Sequence, residues 1–153
     1  MKGITIFSLF DTERDILMHI ASLVRVANAD GKVLECEEKF IEQMAVAYTH
    51  SFGAISFDEI VSKSDKITSA DVIDWQHTLL ERPQEARNLV KDLIALAYAD
   101  GDYCDSERHM IEKDAATLGV GIEDVRAIEK ALIEFSQAAQ NLNAILRDGF
   151  HAQ

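Results

Sequence analysis

The chain has 153 residues, of which 48% are hydrophobic and 27% charged, with one Pro and seven Gly, so it should form one globular domain (residues 1–153) rather than a disordered chain. Its formal net charge of −12 would repel duplex nucleic acid and anionic lipid, which leaves cations and basic protein surfaces as the favoured partners. Two cysteines are too few for a disulfide framework, the N-terminus is a poor signal peptide, and no apolar run reaches the ~18–20 residues of a transmembrane segment. We therefore expect a cytoplasmic protein.

Apolar residues at helical spacing predict about seven helices, and no stretch shows strand alternation, so the expected fold class is all-α. Residues 1–10 should form an apolar N-terminal arm that folds onto the body, and a C-terminal helix should cover about 122–148. The other expected helix starts are, in chain order, Asp11 as an N-cap, Glu35, Ser56 with Glu59 as a capping box, Thr68 or Ser69, Pro83 at a first helical position, and Asp105.

The stretch from Leu23 to Ala45 recurs from Leu93 to Ala115 without gaps and with a constant offset of 70. Each copy leads from one amphipathic helix through Ala-x-Ala-Asp-Gly into a second helix that carries a Glu seven residues after the Asp. An ungapped internal repeat of this kind indicates that one helix–loop–helix hairpin occurs twice, over about 12–51 and 84–118.

The spacing from Asp-Gly to the later Glu equals positions 5, 6 and 12 of an EF-hand loop. Position 1 would then be Val26 or Leu96, and apolar side chains cannot bind a hard cation, so a standard EF-hand is excluded. A half-loop rich in carboxylates remains, which predicts a Ca²⁺ or Mg²⁺ site. The candidate metal ligands are Asp30, Glu37, Asp100 and Glu107, with Glu35, Glu38, Asp102 and Asp105 as additional ones.

Other interpretations stay open. The same carboxylates can serve only to end one helix and cap the next, where the helix dipole favours them. Cys104 and His109 suggest zinc, but their spacing is unlike the usual zinc-ligand pairs, so Ca²⁺ or Mg²⁺ is favoured. The sequence has no nucleophile elbow, Gly-rich phosphate loop or Glu-x-x-His pair, so we expect neither catalytic residues nor a bound organic cofactor.

The segments Ala27 to Glu38 (ANADGKVLECEE) and Ala97 to Arg108 (AYADGDYCDSER), within an all-helical layout, resemble the TerB-like family. That family includes the N-terminal domain of the co-chaperone DjlA. The resemblance implies a bacterial, cytosolic role in tellurite resistance and chemical stress, without established catalysis, beside membrane-bound partners such as TerC at the inner membrane. It also implies that Asp30, Glu37, Asp100 and Glu107 are the acidic residues of the family motif. Arg108 stands where the first copy has Glu38, so the two half-sites would differ in charge.

We therefore predict a non-enzymatic stress-response protein of this type, whose acidic double-loop face binds a divalent cation, a protein partner or both. The alternative is a pure protein-interaction scaffold without metal. A homodimer stays open, as does a direct reaction of Cys36 or Cys104 with tellurium species.

Overall fold

A computed structural model describes residues 10–29, 31–52, 55–99, 101 and 103–150. Within these ranges lie seven α-helices and one 3₁₀-helix, without a strand, so the predicted all-α class is confirmed. The helices are α1 (Glu13–Ala27), α2 (Glu35–Phe52), α3 (Phe57–Ser64), α4 (Ser69–Thr78), the 3₁₀-helix (Leu79–Glu81), α5 (Pro83–Ala97), α6 (Asp105–Thr117) and α7 (Ile122–Asp148). Of the predicted N-terminal arm, residues 1–9 lie outside the described residues. None of the described helices is long and apolar enough to cross a membrane.

Side-chain caps fix the starts of α3 and α4. Thr68 Oγ1 accepts a hydrogen bond from the N–H of Asp71, and Asp71 Oδ2 accepts one from the N–H of Thr68, both at 3.1 Å. This is a complete capping box, which satisfies two backbone donors that the first turn leaves free. Ser56 Oγ accepts from the N–H of Glu59 at 3.2 Å, so the predicted cap of α3 is also present.

The start of α1 differs from the prediction. Thr12, not Asp11, is the N-cap, because its hydroxyl accepts a hydrogen bond of 3.2 Å from the N–H of Asp15. Two neighbouring residues can both cap a helix, and the packing of Asp15 selects between them. The Asp15 carboxylate accepts from the indole of Trp75 at 2.8 Å and from Arg82 at 3.2 Å, which sets the rotation of α1 against the later helices.

The core lies between α1 and α5, which pack against each other at the centre. Helix α2 packs on both of them, and α6 does the same from its own side. Segment α3–α4 covers α1, whereas α7 covers α5 and α6. Each central helix therefore ends beside the second helix of the other hairpin, and this placement shapes the cavities described below.

A buried ion pair joins α1 to α6. The guanidinium of Arg25 donates to Asp114 Oδ1, and the two side chains are only 12% and 2% exposed. Both charges have left bulk water, so each depends on the other for compensation. The pair therefore ties the two hairpins together near the end of α1.

A second buried polar group joins α1, α2 and α5. The hydroxyl of Tyr48 accepts the N–H of Phe10 at 3.1 Å and lies 2.6 Å from His19 Nδ1. His19 Nε2 in turn lies 3.0 Å from Asp92 Oδ2, at ion-pair distance but outside the alignment of a linear hydrogen bond. A tyrosine hydroxyl can donate one hydrogen bond and accept others, so a single oxygen serves both neighbours. Burial raises the pKa of Tyr48, so its hydroxyl stays protonated.

Candidate functional site

The loops that follow α1 and α5 share one backbone geometry. Asn28 and Tyr98 end the two helices with the same φ of −87°, and ψ is 2° and 0° respectively. Gly31 and Gly101 both have φ +83°, and each donates its N–H over 2.9 Å to the carbonyl of the residue that ends the helix. The two loops are therefore the same turn. Asp30, Asp100 and Asp102 of the predicted cation site lie outside the described residues.

The positive φ at these two glycines makes a testable prediction. Gly31→Ala or Gly101→Ala should each lower the free energy of unfolding by about 1–2 kcal/mol, because left-handed backbone is strained for any residue with a Cβ. Crowding is not the cause, since no atom of the described residues other than the chain neighbours lies within 4 Å of the added methyl group at either site. Urea denaturation measures the change. Gly121→Ala is the matched control, since that site is equally open but has φ −67°; an equal loss there would show that strain is not the cause.

The two repeated glutamates bond to the residues that precede α2 and α6. Oε1 of Glu37 accepts the N–H of Leu34, the residue before α2, at 2.9 Å. Oε1 of Glu107 accepts from the thiol of Cys104, the residue before α6, also at 2.9 Å. Their side chains are turned inward, and only 3% and 5% of the two residues is exposed. The Glu37 carboxylate therefore caps the backbone at the start of α2, whereas the Glu107 carboxylate bonds to the side chain of the residue before α6, which itself makes no side-chain cap.

The contact with Glu107 changes the acidity of the Cys104 thiol. Its hydrogen bond to Glu107 raises the pKa of the thiol, because a nearby carboxylate favours the protonated form. A protonated thiol is a weak nucleophile. Oε2 of Glu107 has no hydrogen-bond partner within the described part of the chain, so this buried carboxylate retains one unused oxygen.

The remaining predicted ligands face solvent. Glu35 and Glu38 of α2 and Asp105 of α6 are exposed, and Glu35 pairs with Lys39 at 3.2 Å on the helix surface. His109, which had suggested zinc, is exposed as well. No group of three or more His, Cys, Asp and Glu side chains that could hold a metal occurs among the described residues, which do not include the three loop aspartates.

A groove that the sequence did not predict lies beside the second loop. Its volume is about 890 Å³, and its walls include Phe40 of α2, Tyr98 and Gly101 of the loop, and Leu132 and Phe135 of α7. In the sequence, the apolar residues of α7 at helical spacing, such as Leu132 and Phe135, are consistent with a groove wall but equally consistent with a buried core face.

A cavity of about 490 Å³ occupies the corresponding place beside the first loop. It is lined by Asn28, Ala29 and Met110, which stand 70 positions from three groove residues, namely Tyr98, Ala99 and Phe40. The α3–α4 connection lines this cavity, whereas α7 lines the groove. Positions 70 residues apart therefore line both spaces, but different segments of the chain border them.

Comparison with known proteins places this geometry in context. Residues 19–130 match the family model described as tellurite resistance protein TerB. A curated relative, the "Chaperone protein HscA homolog" of Bordetella pertussis, is 34% identical over 133 residues, which cover 81% of this chain and 21% of that protein. The chain thus spans about a fifth of the length of that relative. No solved structure matches the chain.

Proposed function

Since the chain belongs to the TerB family, we propose that it acts in tellurite resistance or a related chemical stress response as a non-enzymatic module that binds a basic protein surface. The binding face would be the acidic first turns of α2 and α6. One observation carries this assignment: Glu37 and Glu107 are buried and turned inward, while their neighbours Glu35, Glu38 and Asp105 remain exposed.

The charge of the chain supports the same partner class. A net charge of −12 draws basic surfaces towards the protein and raises association rates. The Bordetella relative is named a chaperone, which is compatible with binding to other proteins. We propose a bacterial cytoplasmic protein whose partner is a basic cytoplasmic face, such as that of the membrane-bound TerC, which would bring the protein to the inner membrane.

Binding to purified TerC in detergent, measured by calorimetry, tests this proposal. Glu35→Lys with Glu38→Lys should weaken binding at least about tenfold, with a smaller salt dependence, because two attractive charges become repulsive. Glu123→Lys with Asp124→Lys is the matched control, since it reverses two exposed acids in the first turn of α7. Equal weakening by both pairs, or no binding by the wild type, would contradict the proposal.

The divalent cation is a second candidate, which the unused Oε2 of Glu107 favours. Such an oxygen, together with Asp30, Asp100 and Asp102, would suit Ca²⁺ or Mg²⁺. We expect saturable heat when chelator-treated protein is titrated with Ca²⁺ or Mg²⁺, and loss of that heat in Asp30→Asn and Asp100→Asn. Titrations with Mn²⁺ and Zn²⁺ test selectivity. No heat with any of these ions would leave the acidic loops as helix caps alone.

A further inference from the structure

The second half of α7 is exposed to solvent but carries no charged side chain between residues 135 and 146. Residues 135–146 read FSQAAQNLNAIL and contain no ionisable side chain, in a chain that is 27% charged. Yet this segment is largely exposed, and Leu142 and Leu146 are 56% and 74% accessible to solvent. Its polar side chains are amides and one hydroxyl, which can both donate and accept hydrogen bonds. An apolar, uncharged helix face of this kind is typical of an interaction surface.

The exposed stripe continues one that is already packed. Val125, Ile128 and Leu132 contact the core through spacings of three and four residues. Phe135, Ala139, Leu142 and Leu146 repeat these spacings along the same face of the helix, a pattern typical of a helix-packing seam. The 27 residues of α7 extend about 40 Å, whereas the 15 residues of α5 extend about 22 Å. The apolar stripe of α7 is therefore longer than α5, the helix on which its first half packs.

The groove lies alongside this overhanging segment. Residues 132–140 of α7 form one wall. The other wall includes the apolar side chains of Phe40, Ala95 and Tyr98 and the ion pair of Lys91 with Asp92, whose opposite charges balance. A single face of this 12-residue segment, about 18 Å long and about 10 Å wide, falls short of the ~800 Å² that each partner buries in a standard interface. The groove supplies the missing area if the stripe of a second molecule lies in it.

We propose that two copies of this chain form a symmetric dimer in which the stripe Leu142–Leu146 of each α7 lies in the groove of the other. An interface between identical molecules must be complementary to itself in charge. Elsewhere the net charge of −12 drives copies apart, but the uncharged segment avoids that repulsion, and its amides can pair with their own kind. The interface uses none of the acidic residues of the proposed partner site.

Sedimentation velocity over a concentration series tests the dimer. The wild-type chain should approach twice 17.1 kDa with increasing concentration. Leu142→Asp should raise the dissociation constant at least about 100-fold, because each dimer loses two buried leucines that are each worth a factor of ten or more. Val61→Asp on α3 is the matched control, since Val61 is 42% exposed and lies away from the groove. A wild-type chain that stays at 17.1 kDa, or a dimer that Leu142→Asp leaves intact, would overturn the proposal.

Mixing two variants tests the exchange of segments directly. Ser136→Arg should block the groove while leaving the stripe intact, and Ser136 is exposed, so the fold should tolerate the change. Neither Ser136→Arg nor Leu142→Asp should dimerise well alone. Their mixture should form dimers more readily, because the intact stripe of one variant can enter the intact groove of the other. A mixture no better than its components would overturn the proposed geometry, and circular dichroism of each variant checks that the fold is retained.

Discussion

Asp114→Ala should lower the free energy of unfolding by about 3–5 kcal/mol, because it leaves the buried guanidinium of Arg25 without its partner. Only 12% of the Arg25 side chain is exposed, so bulk water would compensate little of the unpaired charge. Urea denaturation followed by circular dichroism measures the change. For a domain whose total stability is typically about 5–15 kcal/mol, the loss would bring the variant close to unfolding.

Two further variants separate the lost pair from the lost packing. Asp114→Leu combined with Arg25→Met removes both charges and should recover most of the stability, because apolar replacement of a buried ion pair is often neutral or stabilising. Glu112→Ala is the control on the same helix, since its carboxylate also contacts an arginine, Arg126, but in a pair that is 29% and 46% exposed. It should cost less than about 1 kcal/mol. A double variant no more stable than Asp114→Ala would show that shape, not charge, dominates the site.

Tyr48→Phe should cost about 3 kcal/mol, although it removes a single oxygen atom. The hydroxyl serves both the N–H of Phe10 and Nδ1 of His19, and both are buried. Each buried polar group that loses its partner costs about 1–3 kcal/mol. Thermal and urea unfolding measure the loss, and hydrogen exchange at the Phe10 amide should accelerate more than exchange in α6.

Tyr98→Phe removes the same atom from a half-buried site, where the tyrosine ring contacts Tyr103 at 4.7 Å between centroids and no hydrogen bond from the hydroxyl is present within the described part of the chain. Its stability should change by less than about 1 kcal/mol. A Tyr48→Phe variant as stable as Tyr98→Phe would contradict the view that this hydroxyl organises the junction of α1, α2 and α5.

The helix starts were largely predictable because their signals are local. Pro83 has no backbone N–H to lose at a first helical position, and Ser56 offers its hydroxyl to the backbone three residues later. Thr12 and Asp11 show where local reasoning fails, since both residue types cap helices. The choice between them depends on Trp75, which lies far along the chain and bonds to Asp15.

The candidate site was less predictable, since its residues have roles that only tertiary contacts decide. The sequence left open whether Glu37 and Glu107 bind a cation or cap a helix. In the structure Glu37 accepts a backbone N–H before α2, whereas Glu107 accepts from the thiol of Cys104. The groove was missed because it arises where α7 passes Phe40 and Tyr98, and no pattern within α7 states how far the helix extends beyond the core. Buried Asp92 likewise gave no signal, since a lone charge on a helix usually reads as surface.

The cavities beside the two loops have different borders. One is bordered by the α3–α4 connection, which lies between the two hairpins, and the other by α7, a separate helix at the end of the described chain. Mutations in the second half of α7 leave the central helices and the caps untouched, so they carry little cost in stability. Evolution can therefore alter the specificity of this surface in small steps while the turns and the core stay fixed. Relatives with the same loops but a different last helix would be expected to recognise different neighbours.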